Sequence, residues 1–88
     1  MKLICEKSAL KHGLSEEEIT TAFEQSVKYK NRESNRNGAF VRMIIGVLPN
    51  GETCEMIGFF SNMDEFVVFH AMAPARKSFI NEVERSKQ

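Results

Sequence analysis

At 88 residues the chain has the length of one domain, and 42% hydrophobic against 27% charged residues is the balance of a folded globular protein, not a disordered one. No apolar run approaches the roughly 20 residues that span a bilayer. Glu6, Lys7 and Lys11 interrupt the start before a signal-peptide core can form, so a cytoplasmic chain with no membrane partner is expected. A formal net charge of zero argues against the global basic footprint of many nucleic-acid binders.

The charge is unevenly spread. Residues 27–48 carry Lys28, Lys30, Arg32, Arg36 and Arg42 against Glu33 alone, whereas residues 49–72 carry Glu52, Glu55, Asp64 and Glu65 with no Lys or Arg. A basic face is therefore compatible with the neutral total. Cys5 and Cys54 form no CxxC pair, and with His12 and His70 they lack the spacing of a zinc finger. Two reduced thiols, no metal and no cofactor are expected.

In chain order, "CEKSALKHG" (5–13) predicts a short helix stopped by Gly13, with residues 2–5 open to a second reading as a brief strand. "LSEEEITTAFEQSV" predicts a second helix. Ser15 and Glu18 fit a capping box, and Leu14 and Ile19 have the spacing of a hydrophobic staple. Glu16, Glu17 and Glu18 fill the first turn, where the helix dipole favours negative charge. Ile19, Ala22, Phe23 and Ser26 then share one face.

"VKYKNRESNRNG" (27–38) reads as a short strand followed by an exposed loop. "AFVRMIIGVL" (39–48) is apolar on both faces and reads as a central strand. The turn "PNG" leads to an antiparallel strand at 52–60, and "SNMD" to a last strand at 65–72. Pro74 suits the first turn of a terminal helix whose Ala75, Phe79, Ile80 and Val83 form an apolar stripe. The expected architecture is α+β, one domain over 1–88. It has two N-terminal helices, a three- to four-stranded antiparallel meander and a C-terminal helix.

The candidate chemistry gathers at "HAMAPARK". His70 belongs to the alternating set Phe66, Val68, His70 and Met72, where a histidine is ordinarily a satisfied boundary residue. It lies, however, just before the start of a helix, whose unpaired N–H groups suit an anion. Arg76 and Lys77 fall in that first turn, where cations oppose the dipole. Such a placement fits either phosphate binding or a simple surface pair of Arg76 with Asp64 or Glu65. Lys11 and His12 precede the capped helix and need no function in that position. Tyr29 among Lys28, Lys30 and Arg32 suits stacking and phosphate contact with a nucleic-acid strand, and equally suits a lysine-protected edge strand. Arg42 interrupts an apolar strand, so it must reach a partner, solvent or an anion. Walker, GxGxxG, HExxH and GxSxG motifs are absent from the sequence.

"KHGLSEEEI", the strand meander and "HAMAPARKSF" together resemble the BrnT family of toxins. These belong to bacterial type II toxin–antitoxin systems and have a RelE-like ribonuclease fold. Lys11, His12 and Gly13 stand at the family's "KHG". The stretch from His70 to Arg76 stands at its "I-S-A-R" run, lengthened here by Ala73 and Pro74. The resemblance implies metal-independent cleavage of RNA, with His70 or His12 as general acid/base and Arg76 and Arg42 on the phosphate. Lys77 and Lys11 would add charge to that site, and Lys28, Tyr29 and Lys30 would hold the strand. The implied partners are RNA and a cognate antitoxin. Two rivals stand beside it: a non-catalytic interaction module on the same fold, and a structural homodimer built through Phe59, Phe60 or the terminal helix.

Overall fold

A computed structural model describes residues 1–33 and 40–85 of the chain. The chain opens with a strand, β1 (Lys2–Cys5), and a single 3-10 turn at Lys7–Leu10 follows it. This corrects the expectation of two N-terminal helices. A segment this short cannot sustain an isolated helix, and Glu6 at its head provides no side-chain cap. The edge of the last strand, by contrast, offers unpaired backbone groups that β1 can satisfy. Lys2 N–H donates to the Asp64 carbonyl at 2.7 Å, and Glu6 N–H to the Val68 carbonyl at 2.9 Å.

The one α-helix of the N-terminal region, α1 (Glu16–Glu24), begins as its sequence dictates. Glu18 N–H donates to Ser15 Oγ at 3.1 Å, and Ser15 N–H donates to Glu18 Oε1 at 2.9 Å. The remaining elements are β2 (Lys28–Glu33), β3 (Phe40–Val47), β4 (Thr53–Asn62), β5 (Glu65–Met72) and α2 (Lys77–Glu84). The loop expected after β2 falls at residues 34–39, and the end of the terminal helix at 86–88; both lie outside the described residues.

The strands form one five-stranded sheet in the order β1-β5-β4-β3-β2. It is mixed, because β1 runs parallel to β5 while the other pairs are antiparallel. The expected three- to four-stranded antiparallel sheet is thereby corrected: residues 2–5, open above to a reading as a brief strand, join the sheet as a fifth strand, parallel to β5. One face packs Ile44, Leu48, Cys54, Met56, Phe66, Val68 and Ala71 against Ala9, Ile19 and Ala22. At Gly46 an added Cβ would collide with the Ala22 carbonyl, so the missing side chain lets α1 lie directly on β3. The opposite face packs Met43, Ile45 and Ile57 against Phe79, Ile80 and Val83 of α2.

A β-bulge decides where the candidate side chains of β5 point. Gly58 pairs with Val68 but Ile57 pairs with His70, so β5 has one extra residue, Phe69, between them. Because strand side chains alternate, one extra residue exchanges the faces beyond it. Phe66, Val68 and Ala71 therefore face α1, whereas His70 and Met72 share the α2 face with their cross-strand partners Ile57 and Glu55. The expected alternating set of Phe66, Val68, His70 and Met72 is broken at this point.

Candidate functional site

Within "ETCEMIGFF" the residues next to Glu55 in sequence, Cys54 and Met56, enter the α1 core. Glu55 is turned to the opposite face and is fully buried, the one buried charged residue among those described. An unpaired buried carboxylate is prohibitively costly, so it must find donors. The bulge in β5 brings the His70 Nε2 to 2.7 Å from Glu55 Oε2. From the approach to α2, Arg76 supplies the rest. Its backbone N–H donates to Oε1 at 2.8 Å, its Nη2 to Oε2 at 2.7 Å, and its Nε lies 3.2 Å from both oxygens. The Ala75 N–H, donating to the Thr53 carbonyl at 3.1 Å, holds this approach against β4.

Arg76 is the N-cap of α2, which starts at Lys77 and therefore later than the position of Pro74 suggests. It makes no side-chain cap. The Glu55 carboxylate fills that role from another strand, where the helix dipole and a free N–H both favour negative charge. The anion expected at this helix start is thus present, and it belongs to the chain itself. Neither Asp64 nor Glu65 is the partner of Arg76. Glu65 pairs with Lys2 at the other end of β5 and accepts from the Ser61 hydroxyl.

Burial by itself would raise the Glu55 carboxyl pKa. The Arg76 side chain and backbone N–H, the His70 hydrogen bond and the Arg76 charge together outweigh it and hold the group below its ordinary value. The same contacts raise the Arg76 guanidinium further. An ionised carboxylate only accepts hydrogen bonds, so the His70 Nε2 must carry the proton. In the neutral ring this leaves Nδ1 as a free base. The His70 ring meets that of His12 edge-on, with centroids 5.7 Å apart and planes at 74°. The His70 side chain is 20% exposed and that of Arg76 57%, so both reach solvent from a buried anchor.

His70, Arg76 and His12 are therefore brought together, with Lys11 next to His12 and Lys77 next to Arg76 in sequence. Both lysines are exposed, and neither makes an ion pair among the described residues. The other cationic candidates are separated from this cluster. Arg42 and Tyr29 stand on the α1 face, opposite Glu55. Lys28 and Lys30 alternate to the α2 face. There Lys30 lies 3.8 Å from Glu82, which Arg32 also approaches at 3.4 Å. Lys28 shares a cross-strand row with Ile45 and Glu55, its backbone two strands, roughly 10 Å, from that of Glu55.

Sequence reasoning passed over Glu55. The signal was available, because a lone acid inside an apolar interior strand demands a cationic partner as much as Arg42 does. Among the described residues no group of three or more His, Cys, Asp or Glu side chains could hold a metal ion. The Cys54 thiol is pushed up to about 11, chiefly by burial, and Cys5 is raised by burial and by Glu16, so neither is a ready nucleophile. Among the described residues no helix is long and apolar enough to cross a membrane. Compared with family models, curated proteins and solved structures, the chain matches none.

Proposed function

We propose that the chain is a metal-independent ribonuclease whose centre is His70, His12 and Arg76, organised by Glu55. The observation that carries this reading is the meeting of His70 and the Arg76 guanidinium on one buried carboxylate that fixes the His70 tautomer, with the His12 ring edge-on to that of His70. The chemistry needs an acid, a base and a stabilised anion. His70 Nδ1 takes the proton of an RNA 2′-hydroxyl as its oxygen attacks the adjacent phosphorus. Arg76, anchored through Nε and Nη2, meets the negative charge that builds on the phosphate oxygens. His12 in its protonated form gives its proton to the departing 5′-oxygen, leaving a 2′,3′-cyclic phosphate. Lys11 and Lys77 raise the local potential for a polyanion. Together with the sequence resemblance, this chemistry supports reading the chain as the toxin of a cytoplasmic toxin–antitoxin pair, with an antitoxin covering the centre. Incubating the purified chain with RNA in EDTA tests the reading; intact RNA overturns it.

A second reading, a non-catalytic interaction module, is favoured by one observation. Glu55 already occupies the backbone N–H, Nε and Nη2 of Arg76, an arrangement that also serves to staple α2 to β4 and β5. The two readings part on His70→Ala: the first requires loss of cleavage by a folded chain, whereas the second has no cleavage to lose.

A further inference from the structure

On the sheet face covered by α1, the helix packs over Ile44 and Met56, and the far end of the same face stays open. Tyr29, Phe40 and Phe60 stand there 53%, 64% and 46% exposed. Among them lies Arg42. Its guanidinium carbon is 4.0 Å from the Tyr29 ring centroid and 5.2 Å from that of Phe60. Its Nε donates to Asn31 Oδ1 at 2.9 Å. Stacking and this hydrogen bond through Nε hold the group in place. Its cross-strand neighbour on β4 is Gly58, where an added Cβ would strike the Val67 carbonyl and the Phe66 ring, so no side chain stands directly opposite Arg42 on that strand. Among the described residues no carboxylate lies within ion-pair distance of Arg42. Glu33 shares this face, opposite Phe40, without reaching it.

An apolar protein surface would use the rings and bury the arginine unpaired, at a cost. An acidic peptide would use the arginine and leave the rings idle. A ligand that alternates flat apolar rings with single negative charges uses both. We propose that Tyr29, Asn31, Phe40, Arg42 and Phe60 form a platform for single-stranded nucleic acid. Bases stack on Phe40 and Phe60, and Arg42, held by Tyr29 and Asn31, meets a phosphate. On this face the described charges of β2 and β3 are Arg42 and Glu33, while Lys28, Lys30 and Arg32 project to the opposite face, so the phosphate contact rests on Arg42 itself. This surface lies across the sheet from Glu55, His70 and Arg76, and it stands independently of the cleavage reading.

Fluorescence anisotropy of the full chain with a labelled single-stranded oligouridylate of about 12 nucleotides, at low salt, tests the platform. Binding is expected to single-stranded RNA, to weaken as salt rises, and to be poor for an RNA duplex whose bases are not free to stack. A single-stranded DNA of equal length shows whether the 2′-hydroxyl contributes. Phe60→Ala and Arg42→Ala should each weaken binding about 5- to 100-fold, and Arg42→Gln should reduce the salt slope by about 1. Because Phe60 also touches Phe66, Phe40→Ala serves as the second stacking variant, with Met63→Ala, 93% exposed in a turn, as the neutral control. No binding, equal binding of duplex, or full binding by both Phe40→Ala and Arg42→Ala overturns the proposal. The readout is binding, so a chain that binds without cutting upholds the platform while it overturns the ribonuclease reading.

Discussion

Arg76 and Arg42 make an instructive pair. Each sits among apolar residues, one on each face of the same sheet, and their surroundings dispose of the charge in opposite ways. Arg76 is tied to a buried carboxylate through its backbone and its side chain. Arg42 is held by an amide and two aromatic rings, with no acid in reach among the described residues. The first arrangement builds a cluster in which one histidine, His70, is oriented. The second leaves a positive charge available to a ligand. A guanidinium is informative for function through what it has been paired with, and much less through its mere presence in an apolar segment.

The comparison breaks most visibly on His70. If the Glu55 cluster is the reactive face, His70→Ala should lower RNA cleavage by at least about a hundredfold, as loss of a general base does. Circular dichroism should still report a folded chain. Next comes stability. Glu55→Ala removes the acceptor of the His70 and Arg76 donors and leaves a small cavity, which should cost about 3 kcal/mol in urea unfolding. Arg42→Ala on the other face loses one exposed stacking arrangement, worth about 0.5–1 kcal/mol. Equal costs for the two variants would erase the distinction drawn between the faces.

Acidity sharpens the same contrast. The folded-state pKa of Glu55 is depressed below its ordinary 4.5, so its stabilising contribution is complete above that value and is lost as the pH falls through the folded pKa. The stability gap between wild type and Glu55→Gln should therefore be constant near neutrality and close in acid. A gap that widens below pH 4.5 would contradict the assignment. The smallest effect concerns the thiols. Cys54 should resist alkylation in the native chain at neutral pH and react on unfolding, because burial keeps it protonated.

What the sequence made legible was local. The helix at Ser15 announces itself through a cap, a staple and three acids within a few residues, and it forms there. The strands after residue 39 are bounded by turn residues and are recovered within a residue or two. The N-terminal strand was open to two readings because its hydrogen bonds come from β5, far along the chain and parallel to it. The bulge at Phe69 leaves no mark in hydrophobic pattern, so His70 was read on the wrong face. Glu55 escaped because its partners lie 15 and 21 residues away and converge only once that bulge and the approach to α2 are in place. Of the residues singled out, His70 meets His12 directly and Arg76 through Glu55. Arg42 and Tyr29 meet each other on the far side of the sheet.

Metal-independent RNA cleavage by the Glu55 cluster is the activity proposed for this chain. The most direct measurement is a time course of the purified chain with a single-stranded RNA in excess EDTA, run beside His70→Ala and resolved by the chemistry of the new ends. Fragments with 2′,3′-cyclic phosphates are expected from the wild type and none from the variant. RNA that stays intact, or fragments formed equally by both, would contradict the proposal.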